Sequence, residues 1–169
     1  DIHTIIDYID NKIHGSFLKF HEGQLVIKEN YKQGLSEKGI WYHSNGQKLG
    51  EYNYKDGEYD GLQTEWYENG QKQFEGTFKD GEKDGLLTGW YKNGNKEYEQ
   101  NYKDGKEDGL WISWYHNGQK KSEGTFKDEK EDGLWTFWYE NGKKDIEGTF
   151  KDGKLISKKQ WNEDGSVKE

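Results

Sequence analysis

The chain contains no cysteine, which excludes disulfides and thiolate-held zinc or iron–sulfur sites and leaves the redox compartment open. It contains no methionine either, so Asp1 is not a translation start and a processed or shortened product is expected. Removal of a signal peptide is one ordinary route to such a product and a chosen boundary is another; the first favours a secreted, periplasmic or surface protein over a cytoplasmic one. Apolar residues are scarce: 29% of the chain, against about 45–50% in common soluble domains. No apolar run approaches the roughly 20 residues needed to span a bilayer. Positive charge is in deficit, with 25 basic against 33 acidic residues, a net charge of -8 and a sequence pI ≈ 5.2. That balance argues against nucleic acid, whose phosphates must be neutralised by cations, and against anionic membranes.

A charged fraction of 34% and a mean hydropathy of -1.36 would by themselves describe a disordered chain. The aromatic content contradicts them: 16% of residues are Phe, Tyr or Trp, including 8 Trp and 12 Tyr. Large rings bury more area than almost any other side chain and drive collapse. Few aliphatics with many rings imply a thin core, which suits a repeat array better than a two-layer domain of this length.

Internal repetition dominates the sequence. One ring recurs at Tyr31, Tyr54, Phe78, Tyr102, Phe126 and Phe150, at intervals of 23, then 24 throughout. A second recurs at Trp66, Trp90, Trp114 and Trp138, again 24 apart, flanked by Trp41 and Trp161. Tyr8, Gly15 and Phe20 fit the same frame and predict a degenerate first repeat. The alternative is a short capping helix, whose face would be Ile2, Ile5, Ile6, Ile9 and Ile13. Asn45-Gly46, Asn69-Gly70, Asn93-Gly94, Asn117-Gly118 and Asn141-Gly142 are hairpin signals, read as turns in which both residues take positive φ. Asp80-Gly81, Asp104-Gly105 and Asp152-Gly153 mark the other turn of each repeat. The stretches between are rich in Thr, Trp, Tyr and Phe, as strands are. The expected fold is all-β, an elongated single-layer antiparallel meander of tandem hairpins. Its expected organisation is one array over 1–169, with 1–30 a degenerate repeat or cap, 31–156 regular and 157–169 a partial repeat.

Facing has two solutions. Two tight turns per repeat put Phe74 and Phe78 on one face with Tyr91, and Trp90 on the other with Leu86 and Thr88. A bulge in the KDGEKDG stretch would flip the parity and join Phe78 to Trp90.

The string EGTFKDGEKDGLLTGWYKNG from Glu75, repeated as EGTFKDEKEDGLWTFWYENG from Glu123, resembles the MORN repeat, and in particular the bacterial variant of that family. The resemblance covers residues 5–169, departing at Glu129, where the usual Gly is lost, and in the 23-residue spacing near the N-terminus. It implies side-by-side hairpins in a single-layer sheet, and a role in protein association or lipid attachment. Some bacterial members carry an antitoxin label, so masking a toxin is an implied alternative. Repeat family fixes architecture more firmly than function.

Residue chemistry points away from catalysis. Asp80, Glu82, Asp84 and Gly85 open like a calcium loop, but the twelfth position, where a bidentate Glu belongs, is Tyr91, and lysines sit inside each such stretch. His3, His14, His21, His43 and His116 are scattered without ligand or triad spacing, and no nucleophile-elbow, phosphate-loop or zinc-protease motif occurs. No metal, cofactor or enzymatic activity is expected. A binding role along an aromatic face is, with a protein as the first partner and a glycan as the second. Trp114 and Trp138 hold the anchor position and are expected in the core. Trp111 and Trp135 stand where other repeats have Gln63 and Leu87, so the fold should not need them. With Tyr91, Tyr115, Tyr139 and Phe137 they form the expected exposed face, since exposed aromatic area marks interaction sites.

Overall fold

The computed structural model describes residues 1–168, among which there is no helix. Fifteen strands follow one another: β1 (Ile2–Ile9), β2 (Lys12–His21), β3 (Gln24–Lys32), β4 (Leu35–Tyr42), β5 (Lys48–Lys55), β6 (Glu58–Tyr59), β7 (Gly61–Trp66), β8 (Lys72–Lys79), β9 (Glu82–Trp90), β10 (Lys96–Lys103), β11 (Lys106–Trp114), β12 (Lys120–Lys127), β13 (Lys130–Trp138), β14 (Lys144–Lys151) and β15 (Lys154–Gln160). The isoleucine-rich start is therefore strand, not a capping helix. The chain forms two compact units, Asp1 to Glu82 and Lys83 onward. In the first, β1, β2, β3, β4, β5, β7 and β8 are hydrogen-bonded in sequence order, with the two-residue β6 pairing β5 to one side. In the second, β9 to β15 do the same. Every pairing is antiparallel, and apart from β5 with β7 each joins sequence neighbours, so each unit is a meander.

The two turns of a repeat differ in chemistry. The Asp-Gly turns are two-residue turns with both residues left-handed, as at Asp104 (φ 48) and Gly105 (φ 78) between paired Lys103 and Lys106, the geometry that matches strand twist. The Asn-Gly turns correct the expectation. Only the glycine is left-handed, for example Gly118 (φ 85), while Asn117 is not. Tyr115 C=O accepts from Gly118 N–H at 2.8 Å, and Tyr115 N–H donates to Gln119 C=O at 2.8 Å. This is a three-residue loop closed by a left-handed residue and followed by a bulge. The asparagine is used for its side chain: Oδ1 of Asn117 accepts from Gln119 N–H (2.9 Å), and Nδ2 donates to Glu140 C=O of the next repeat (2.9 Å). Asn93 and Asn141 make the same pair of bonds. Near the N-terminus the loop shrinks to a two-residue turn at Glu22-Gly23, between paired His21 and Gln24, which shortens the step from Tyr8 to Tyr31 to 23 residues. The 23-residue step from Tyr31 to Tyr54 comes instead from the β3–β4 pairing, where one residue is inserted in place of two.

Two irregularities decide the facing. Between β12 and β13, Thr125 pairs Asp132 but Glu123 pairs Thr136, so Gly133 and Leu134 are inserted against the partner strand. Two extra residues preserve the alternation. Phe126 therefore shares a face with Trp135, and Trp138 points the other way, as the tight-turn solution requires. After each Asn-Gly loop the slip is a single residue, with Trp138 paired to Lys144 and Phe137 to Ile146. That one-residue bulge brings Lys144 and Glu147, three apart, onto the same face, where they form an ion pair. Lys48–Glu51 (2.7 Å) and Lys72–Glu75 (2.6 Å) arise in the same way.

The core is correspondingly thin. Among the described residues only Tyr52, Leu87, Ile112 and Trp135 are buried hydrophobics, joined by the buried Gln63, Thr64, Thr88 and Thr136. They lie at mid-strand, on both faces, where neighbouring side chains shield each one.

Candidate functional site

The second unit carries a continuous path of rings on one face. Trp111 and Phe126 have centroids 4.9 Å apart, Phe126 and Trp135 5.1 Å, Trp135 and Phe137 6.1 Å, Trp135 and Phe150 6.4 Å, and Tyr102 reaches Trp111 at 6.4 Å. These are offset and edge-on separations of the favourable kind. Phe126 and Phe150 come from the strand that precedes each Asp-Gly turn; Trp111 and Trp135 come from the strand that follows it. Cross-strand pairing puts Trp111 opposite Gly124 and Trp135 opposite Gly148. A methyl group added at Gly124 would lie inside the indole of Trp135. The glycine is a slot that lets the ring lie down on the strand.

Burial along this path corrects the expectation for Trp135. Its side chain is 5% exposed, and its indole N–H donates to Thr125 C=O at 3.2 Å. It is a core residue, although the corresponding positions of other repeats hold Gln63 and Leu87. Those two are the most deeply buried side chains, each 1% exposed. Gln63 satisfies its amide by accepting from Asn53 N–H and donating to Asn53 C=O, both at 2.9 Å. The position changes identity from repeat to repeat and is buried at Gln63, Leu87 and Trp135. Trp111 and Phe137 remain half-buried, so part of each ring faces solvent.

The anchor tryptophans lie on the opposite face and are half-buried, not enclosed. Each is covered by a lysine from the preceding repeat: Lys48 over Trp66 (5.5 Å), Lys96 over Trp114 (5.6 Å), Lys120 over Trp138 (5.8 Å) and Lys144 over Trp161 (5.7 Å). The same lysines pair with Glu51, Glu99, Glu123 and Glu147. This Trp–Lys–Glu stack ties one repeat to the next through cation–π contact. Hydrogen-bonded ion pairs with Lys38 and Lys48 hold Glu51 below the usual carboxyl range.

Tyr91, Tyr115 and Tyr139 do not join the ring path. They sit at the Asn-Gly edge, and each hydroxyl donates to the carbonyl of the next repeat's tryptophan: Trp114 (2.8 Å), Trp138 (2.7 Å) and Trp161 (2.9 Å). His43 bonds Trp66 C=O from the corresponding place at 2.8 Å. Burial raises the Tyr115 phenol pKa, helped by Glu140 and Asp145. At the Asp-Gly edge backbone bonds do the tying, as in Gly105 N–H to Lys83 C=O (2.9 Å) and Gly153 N–H to Glu131 C=O (3.0 Å).

Neither edge gathers chemistry. No cluster of three or more His, Asp or Glu has metal-holding geometry among the described residues. The Asp and Glu of the KDGEKDG stretches are spread along a turn edge. Glu107 shows the strain of that arrangement: burial, and then Glu129 and Glu131, push its carboxyl above the ordinary value.

None of the curated proteins matches the chain in sequence. The pattern of the MORN repeat variant matches five consecutive segments, 38–56, 59–80, 83–104, 107–128 and 131–152, each containing an Asn-Gly loop and the strands on either side. Repeats of this kind are commonly interaction modules for proteins or membranes and are generally non-catalytic. With more than half of its length matched in tandem, and with a hairpin under every matched segment, the chain belongs to the MORN repeat variant family.

Proposed function

We propose that the protein is a non-catalytic interaction module that takes a protein segment along the ring face of the second unit. The observation that supports this reading most is the contrast between faces. The anchor indoles carry their own lysines, whereas on the ring path Lys83 lies over Tyr102 (4.5 Å) and, among the described residues, no lysine covers the half-buried Trp111, Phe126 and Phe137. Large rings that are partly desolvated before contact are the usual energetic centre of an interface.

The repeat also sets what would fit. Equivalent rings recur every two strands, about 9.6 Å, and a peptide in the polyproline II conformation, with three residues per turn, advances about 9.3 Å in three residues. A segment crossing the strands would offer a side chain to each repeat at every third position. Selection of a displayed random peptide library on the whole protein tests this. Recovered peptides should carry aromatic or aliphatic residues three apart, and Trp111→Ser should weaken them by about tenfold or more. Peptides that bind Trp111→Ser as tightly as the unaltered protein would rule the site out.

A further inference from the structure

The ring face of the first unit differs from that of the second. It combines tyrosine hydroxyls with carboxylates. Tyr31 donates to Glu29, and Tyr52 donates to Glu65 at 3.0 Å. Tyr54 and Tyr59 stack at 5.1 Å, Tyr52 and Tyr59 at 5.8 Å, and Trp41 packs edge-on to Tyr52 at 5.3 Å. Trp41 and Tyr59 are 37% and 38% exposed, and Glu29 and Glu65 are half-buried. The Tyr31 phenol is pushed up to about 12 by burial and by Glu29, so it acts as a neutral donor.

Among the described residues register leaves one lysine on this face beside the rings, Lys19, in a row with Ile27, Trp41, Gly50 and Glu65 and two strands away from Trp41; the lysines of the central strands lie opposite. Register places Lys28, Ile40, Glu51, Thr64 and Glu75 in one row across the sheet, and that row belongs to the other side. Lys38, Lys48 and Lys72 also point there, paired with Glu51 or Glu75. Trp66 on that side has Lys48 over its ring; among the described residues no lysine covers Trp41, Tyr54 or Tyr59. Charge agrees: residues 1–82 hold nine lysines against fifteen acids, net −6, while the rest hold sixteen against eighteen, net −2.

We propose that this face is a docking surface for a basic, extended protein segment. Its arginine or lysine side chains lie over the exposed faces of Trp41 and Tyr59 and bond the free oxygens of Glu29 and Glu65. A cation over an aromatic face gains most where the ring has no internal cation, and a guanidinium adds a paired bond to a carboxylate. Glu29 and Glu65 stand on strands three steps apart, about 14 Å across the sheet. With their offset along the strands the separation is about 16 Å, so arginines four positions apart, on one side of an extended segment and about 13 Å from each other, reach both with their long side chains. The proposal uses a surface separate from the ring path of the second unit, so either can fail alone.

The probe is a Ser/Gly peptide with arginine at every fourth position, titrated against the whole protein by tryptophan fluorescence at low and moderate salt. Saturable binding is expected. The double variant Glu29→Gln with Glu65→Gln should lose about tenfold or more in affinity, while Glu22→Gln with Glu68→Gln, which removes the same charge from exposed turns, should lose less than about threefold. Trp111→Ser should leave the affinity unchanged. Equal losses in the two double variants would reduce the effect to diffuse attraction and overturn the proposal, as would a titration that never saturates. Should the Glu29/Glu65 variant melt early, Trp41→Leu carries the same thresholds, because its ring is more than a third exposed.

Discussion

Glu129→Gly replaces the one residue in the Asp-Gly turns of the regular repeats that is not glycine at the second turn position. Glu129 has φ 63 beside Asp128 at φ 49, where its counterparts are Gly81, Gly105 and Gly153. Holding an L-residue with a side chain in that region costs roughly 1–2 kcal/mol, and glycine gives back about 0.4–1 kcal/mol through the freedom of the unfolded chain. The net gain is about 0.5–1 kcal/mol. The ion pair lost with Lys106, at 3.6 Å between side chains 62% and 57% exposed, subtracts almost nothing. The backbone bond from residue 129 N–H to Glu107 C=O (3.0 Å) needs no side chain and persists. For a chain of this length such a gain corresponds to a melting temperature higher by about 1–4 °C, read by circular dichroism at matched pH and salt. Glu129→Ala separates the causes, because alanine keeps the left-handed strain and removes only the carboxylate. A Glu129→Gly protein that melts no higher than the original, or an alanine variant that gains as much as the glycine one, would refute the strain argument.

Trp135→Ala should destabilise by about 3–5 kcal/mol, far more than Trp111→Ala, because only the former ring is enclosed; equal losses in urea melts would contradict the burial assigned here. Asn117→Ala should cost about 1 kcal/mol through loss of its two backbone bonds, one within its loop and one to the next repeat, and hydrogen exchange should quicken at Gln119; unchanged exchange there would argue against the tie. Glu107→Gln should raise the melting temperature near neutral pH. A carboxyl whose folded pKa is raised contributes its stabilisation only below its unfolded value and loses it as pH rises through the folded one. The glutamine's advantage should therefore vanish below the ordinary Glu value of 4.5, and an advantage that persists in acid would mean the cause is not charge.

Periodicity made most of the fold legible. A 24-residue interval with two turn signals admits little besides a hairpin meander, and the turn at Asp10 and Asn11, φ 50 and 60, extends it to the degenerate start. The side-chain assignments were less legible, for a physical reason. Trp135 was expected to be replaceable because Gln63 and Leu87 hold its position elsewhere. Here, however, Gly124 on the neighbouring strand lets the ring lie flat, whereas Trp111 in the preceding repeat faces Gln100 there and stays half-buried. The readable signal was Gly124, a small residue on the neighbouring strand that makes room for a large one. Tyr91, Tyr115 and Tyr139 look like surface rings in sequence, but their hydroxyls complete the carbonyls of the next repeat's tryptophans, a bond no pattern of spacing reveals. The turn type was missed because Asn-Gly serves both a two-residue turn with two left-handed residues and a three-residue loop with one.

The chain's 8 tryptophans provide the most direct reading of where a partner lies, because each indole N–H gives its own signal in a nitrogen–proton correlation spectrum. With a selected peptide added stepwise to the labelled protein, the account predicts that Trp111 shifts most and Trp135 follows through its contact with Phe126, while Trp114 and Trp138, on the lysine-covered face, stay in place. Shifts concentrated at Trp114 and Trp138, with Trp111 unmoved, would contradict it.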